Sequence, residues 1–313
     1  MNPSKKIYLI VILILFAFTT CKTQEVQKSE ADFSQIKGPY LGQKPPGLTP
    51  QVFAPGIVST DKSELNSVFS PDGREFYFSR SRGPGTSAIQ LVTYEDGVWS
   101  PSRQVSFATG QTDVNPSLTT DGNTLFFGSL RDDTRGPKDI YVVKRLENGE
   151  WGIPKNLGAP INSEGNDNCP SVASDGTLYF HSDGLGGFGK QDIFKSEWID
   201  GAYTEPENIG SPINTEDGEF DAFIARDEKY IIFGSDRNEG GFGKTDLYIS
   251  VRLDDGSWSE AKSLGGVINS AEYELCPYVT DDGKYFFFTS YRNGQGDIFW
   301  VDAKILEEYK PQE

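Results

Sequence analysis

Five copies of one unit run through this chain, and any fold must satisfy that periodicity first. The first halves of the copies read ELNSVFSPDGREFYFSRSR, DVNPSLTTDGNTLFFGSLR, DNCPSVASDGTLYFHSDG, EFDAFIARDEKYIIFGSDR and ELCPYVTDDGKYFFFTSYR. Anchored on Asp72, Asp121, Asp175, Asp227 and Asp282, they recur at spacings of 49, 54, 52 and 55 residues. The second halves recur as DIYVVKRLENGEW, DIFKSEWIDGAY and DLYISVRLDDGSW. Each unit holds four strand-length runs. One precedes a turn, one is aromatic (TLFF, YFFF), one follows a glycine-rich loop, and the last leads into Trp99, Trp151, Tyr203 or Trp258. Four antiparallel strands repeated radially predict an all-β chain folded as a single β-propeller. Four units are complete and the fifth ends after DIFWVDAKIL, so the literal count is five blades; a sixth would need a cryptic blade that the sequence does not show. The missing fourth strand of the last blade is expected from the N-terminal PQVFAPGIVS, which would close the ring and remove a free edge.

The same alignment disposes of a nucleotide-binding reading. GLGGFGKQDIF places Gly184, Gly189 and Lys190 as in a phosphate-binding loop but has Gln191 where a hydroxyl should meet Mg²⁺; NEGGFGKTDLY supplies Thr245 but begins with Asn238. Both occupy the slot between the second and third strands of adjacent blades. A strand follows them, not the helix whose N-terminus would hold phosphate. The net charge of −17 on 313 residues also argues against nucleic acid and anionic lipid, and for basic protein surfaces or cations.

At the N-terminus, Lys5 and Lys6 precede an apolar run from Ile7 to Phe18, too short to span a bilayer comfortably, and then Thr19, Thr20 and Cys21. Phe18-Thr19-Thr20-Cys21 resembles a bacterial lipobox with Phe in place of the usual Leu. Residues 1–20 are therefore expected to be a lipoprotein signal peptide, Cys21 the lipidated residue, 21–45 a flexible tether, and 46–310 the propeller.

Segments such as INSEGNDNCPSVASDGTLYFHSD and GGFGKQDIF resemble the TolB-type, WD-like propeller repeats of bacterial envelope lipoproteins, over residues 46–303. That resemblance implies a location at the outer membrane, facing the periplasm or the outside, and a protein-interaction role. It does not fix an activity, because propellers host many functions.

Several repeat columns carry candidate chemistry. Eight residues before each anchor stands an acid: Glu64, Asp113, Asp167, Glu219 and Glu274. Two residues later come Asn66, Asn115, Cys169, Asp221 and Cys276, and strand alternation would turn both columns to one mouth of the central channel. Asn162, Asn214 and Asn269 would add oxygens at the same rim. Such oxygens suit Ca²⁺, the one cofactor the column suggests; the alternative is that the carboxylates lock neighbouring blades. Arg131, Arg237 and Arg292 are expected to clamp the loop aspartates Asp139, Asp246 and Asp297, while blade 3 keeps Asp192 but has Gly184 in the arginine column. Blade 1 has Ala88 in the aspartate column and an additional Arg80, so Arg80 and Arg82 are candidates to contact an anion or an acidic partner.

His181, the only histidine, sits in a strand column with Ser79, Gly128, Gly234 and Thr289 and is expected to be packed. Without further histidines a zinc site is not expected, and Cys169 and Cys276 are expected as buried free thiols across the channel from each other. No G-x-S-x-G elbow is present, and the Asp-Gly runs lack the intervening residue of sialidase Asp boxes. The reading that follows is a lipid-anchored, non-catalytic scaffold for an envelope protein partner, with no nucleotide or nucleic acid bound. Its alternatives are a calcium-dependent channel-mouth hydrolase, lactonase-like or glycan-processing, and a carbohydrate-binding module using Phe188 and Phe242.

Overall fold

The computed structural model describes residues 36–237 and 240–310; Cys21 and the segment expected to be a signal peptide lie outside them. The described chain forms a β-propeller of five four-stranded antiparallel blades, with an extra short strand, Val98–Trp99, paired to the end of the third strand of blade 1. From the axis outward, blade 1 runs Glu64–Phe69, Glu75–Gly83, Thr86–Glu95 and Arg103–Gln104; blade 2 runs Asp113–Leu118, Thr124–Ser129, Asp139–Lys144 and Lys155–Asn156. Blade 3 runs Asp167–Val172, Leu178–Ser182, Asp192–Ser196 and Glu207–Asn208, and a side hairpin, Trp198–Ile199 with Ala202–Tyr203, projects from it. Blade 4 comprises Glu219–Ile224, Tyr230–Ser235, Asp246–Val251 and Lys262–Ser263.

Blade 5 takes Glu274–Val279, Tyr285–Ser290 and Asp297–Asp302 from the C-terminal end and its outer strand, Gln51–Val52, from the N-terminal end. Gln51 pairs with Trp300 and Val52 with Phe299. The next residue, Phe53, donates its N–H to the Ile298 carbonyl at 2.7 Å and buries its ring against Phe69, Phe76, Phe287 and Trp300. The closure expected from the sequence is therefore present, and it is cemented by aromatic packing rather than by two ladder pairs alone.

Residues 36–45, expected as the end of the tether, lie against the propeller. The Ile36 and Gly38 carbonyls accept from the backbone and indole N–H groups of Trp99. Leu41 is buried, and Tyr40 packs edge-on against Phe69 and Tyr285. A segment without periodicity is held here by two side chains.

The aromatic runs become the second strands and fill the spaces between blades, where Tyr77, Phe127, Phe180, Phe233 and Phe286 are fully buried. Three columns also come into line across the end of each of blades 2 to 5 that carries the loops between second and third strands. The acid of the first strand faces a serine of the second, which faces the loop aspartate of the third: Asp113, Ser129 and Asp139; Asp167, Ser182 and Asp192; Glu219, Ser235 and Asp246; Glu274, Ser290 and Asp297.

Candidate functional site

The acidic column does not open onto the channel. Glu64, Asp113, Asp167, Glu219 and Glu274 are each wholly buried. Each accepts hydrogen bonds from the residue four positions earlier, and in every case that residue is Ser or Thr: Thr60, Thr109, Ser163, Thr215 and Ser270 donate both backbone N–H and hydroxyl. The facing serine adds a further bond, as from Ser129 to Asp113 at 2.7 Å and from Ser235 to Glu219 at 2.8 Å. The backbone N–H of the same acid reaches the preceding blade in the ring, Asp167 to Lys138, Glu219 to Gln191 and Glu64 to Gly296. Burial pushes the Glu64 and Asp167 carboxyls above the usual range, against the pull of these hydrogen bonds. The I-N-[ST] signature is thereby explained: the Ser or Thr caps the acid, and the Asn clamps blades. Asn162 exchanges two bonds with the backbone of Ile140, Asn214 with Ile193 and Asn269 with Leu247, all buried. These asparagines are not rim oxygens.

The arginines also differ from expectation. Arg131 pairs with Asp113, Arg237 with Glu219 and Arg292 with Glu274, not with the loop aspartates. In blade 1 this role falls to Arg80, which pairs with Glu64 at 2.8 Å and also donates to Ser102 and to the Ile57 and Val58 carbonyls. Arg82 caps the carbonyls of Thr109, Gly110 and Gln111 at the entry to blade 2. Arg80 is thus committed to Glu64, whereas Arg82 is held by carbonyls alone, with its Nε buried and without a hydrogen-bond partner. The loop aspartates instead accept backbone N–H groups of the loop itself: Asp192 from Phe188 and Gly189, Asp246 from Phe242 and Gly243. A Cβ at Gly189 would fall 2.0 Å from the Asp217 carbonyl oxygen, and one at Gly243 would fall 2.3 Å from that of Ser270. The glycine that suggested a phosphate loop is needed because one blade's loop lies directly on the next blade's entry segment. The two equivalent phenylalanines are left projecting, 56 % and 52 % exposed.

Where the side chains do converge is one step further along each first strand. Asn66, Asn115, Cys169, Asp221 and Cys276 all have left-handed backbones, with φ between 48° and 57°. A break in register accompanies each of them. Such a bulge interrupts alternation, so the acids stay inside their blades while the residues two positions on turn to the axis. There they link four blades. The Asn115 amide lies 2.7 Å from the Cys169 sulfur; that sulfur is 2.6 Å from one Asp221 oxygen, and Cys276 is 3.3 Å from the other. Both cysteines are free and buried, on either side of Asp221.

The backbone N–H of these axial residues donates to the second strand of the preceding blade in the ring, Asn66 to Thr289, Asn115 to Ser79 and Asp221 to Nδ1 of His181 at 3.2 Å. At the two glycines of that column a neighbour fills the gap: Asn168 lies against Gly128 and the Phe220 ring against Gly234. His181 thus performs the acceptor role of a serine or threonine. Desolvation holds its pKa down at about 4, so the ring is neutral at physiological pH. Burial, followed by the Asp221 charge, pushes both thiols well up. Cys169, His181 and Asp221 place one ligand-type atom each within 4.8 Å of one another, a grouping that no three of the five repeat carboxylates form among the described residues. The sequence reading gave Asn66, Asn115 and Asp221 to the channel mouth and a candidate hard-cation site to the carboxylate column, and left His181 out of both. The missed signal was that His181 shares its column with the serine and threonine hydroxyls.

No family model matches the chain, and no curated protein matches it. Solved structures do. A glycoside hydrolase superposes with a TM-score of 0.57 at 14 % identity, covering 90 % of this chain and 94 % of that one. The endo-arabinase from Bacteroides thetaiotaomicron superposes with a TM-score of 0.52 at 12 % identity, covering 83 % and 97 %. TolB from Acinetobacter baumannii gives 0.50 at 16 % identity over 79 % of this chain and 53 % of that one, so the chain spans about half the length of that TolB. The likeness is one of fold: this chain is a TolB-like β-propeller in architecture.

Proposed function

We propose that the protein is a lipid-anchored scaffold of the bacterial outer membrane that holds a protein partner, without catalysis, on the face where the loops between second and third strands emerge. The observation that carries this reading is an exposed apolar patch on that face with a charged rim. Phe242 leans over Gly266, next to Val267, which is 53 % exposed, and Lys244 lies over the ring of Tyr273, which is 40 % exposed. Phe188 projects from the equivalent loop of blade 3, and Lys190 beside it pairs with Asp217 and Asp236. An apolar centre with a polar rim is the anatomy of a protein-binding surface, and a chain of charge −17 favours a basic partner. Among the described residues no helix is long and apolar enough to cross a membrane; in this reading the attachment is a lipid on Cys21, which stands in a segment resembling a lipobox. The hydrolase alternative draws no support from the acidic column, whose carboxylates are all held inside the blades.

The test is a photo-reactive side chain at Phe242 or Phe188 in cells, with Ile153 on the outer edge of blade 2 as control. A discrete protein adduct at the two loop positions, absent at the control, is expected. Adducts at all three positions, at none, or to glycan alone would overturn the reading. In the same cells Cys21→Ser should abolish fatty-acid labelling and release the chain from the membrane fraction.

A further inference from the structure

We propose that the propeller axis carries a binding site for a zinc-class divalent ion, built from the Cys169 thiolate, a ring nitrogen of His181 and a carboxylate oxygen of Asp221, with Cys276 on the far side of that carboxylate. The three donors come from two adjacent blades, Cys169 and His181 from blade 3 and Asp221 from blade 4, while Cys276 stands on blade 5. The three ligand-type atoms lie within 4.8 Å of one another, and tetrahedral zinc with sulfur at about 2.3 Å and nitrogen or oxygen at about 2.0 Å needs ligand separations of about 3.5 Å. Small side-chain rotations are enough to meet that requirement.

The chemistry of the set selects the metal. Thiolate and imidazole favour zinc, cobalt and nickel over calcium and magnesium, which take oxygen ligands in larger number. Cys169 and His181 are buried, while Asp221 and Asn66 are part-exposed, so the site is walled by protein and open at one end. A second observation points the same way: the Asn66 side-chain oxygen is buried in this axial column and has no hydrogen-bond partner. A group at the axis would give it one, directly or through a bound water. Symmetry supplies the remaining argument. A purely structural column can repeat Asn or Asp around the ring, and Asn66 and Asn115 do so. Here Cys169 and the only histidine of the sequence meet at one point of it, with Cys276 on the other side of Asp221.

The experiment uses the column's own alternatives to keep the fold. His181→Ser installs the hydroxyl that Ser79 offers at the equivalent place, and Cys169→Asn installs the residue found at 66 and 115. The purified, reduced protein is stripped with chelator and titrated with Zn²⁺, and separately with Co²⁺. Expected are one equivalent of zinc bound, a melting temperature raised by several degrees, and a near-ultraviolet thiolate-to-cobalt absorption. Cys169→Asn should lose the absorption, and His181→Ser should weaken zinc binding at least tenfold while melting close to the stripped wild-type protein. Absence of the cobalt–thiolate band in the wild-type protein, or zinc binding by both variants as tight as in the parent, would overturn the proposal.

Discussion

Asp113→Ala is expected to lower the stability of the protein by about 3–5 kcal/mol, the range for removing one partner of a buried ion pair. The carboxylate is wholly buried and gathers Thr109, Ser129 and Arg131. Without it the Arg131 guanidinium, 14 % exposed over the Phe127 ring, keeps only the Phe107 carbonyl among those partners. Urea denaturation reads the loss as a fall in midpoint at unchanged slope. A double-mutant cycle with Arg131→Ala should show the two losses to be strongly non-additive, because both act on one cluster. Asp167→Ala is the internal comparison. Blade 3 has Gly184 where the others have arginine, and a Cβ there would already lie 2.2 Å from the Ser163 hydroxyl oxygen. Asp167 thus has no guanidinium partner and leaves none stranded, so its removal should cost less than that of Asp113. Equal losses would mean that the arginine adds nothing to the lock.

Deleting residues 36–58 should have a larger effect still. It removes the outer strand of blade 5, the buried side chains of Leu41, Phe53 and Val58, and the Tyr40 contacts. The strand Asp297–Asp302 would then present an unpaired edge, which invites association with a second chain. The expected result is loss of the cooperative unfolding transition, with soluble protein replaced by oligomers or aggregate. Phe53→Ala isolates the packing part of this effect and should cost about 3–5 kcal/mol, as for other fully buried aromatics. Trp300 packs edge-to-face against Phe53 and offers a fluorescence reporter for both variants. A deletion variant that melts like the parent would refute closure by the N-terminal strand.

The architecture was legible because a propeller writes its blades one after another into the sequence. The acid, serine and loop-aspartate columns, the turns and the closing strand could all be found by aligning the chain with itself. What the columns do was less legible. Alternation placed the acids and the residues two positions later on one side, and the left-handed residue at each bulge separates them. Three arginines were matched to the wrong carboxylates because pairing was assumed across the loop to the third strand, whereas the partner sits on the adjacent first strand. Blade 1 hid its own arginine by moving it from position 82 to position 80. Residues 36–45 looked like tether because Leu41 and Tyr40 carry no period. The axial cluster could not be read from any local stretch, since Asn115, Cys169, Asp221 and Cys276 come from four blades and His181 enters from a second strand.

The division between a repeated structural lock and a single asymmetric site at the axis is the centre of this account, and calcium separates the two most directly. The purified protein is melted in chelator and again with millimolar calcium. Carboxylates wholly buried in the blades, held by serine or threonine and in four blades by arginine, should not bind a hard cation, so the two melting temperatures should coincide. A rise of several degrees with calcium that disappears in Asp113→Asn would contradict the account and return the acidic column to the role of a metal site.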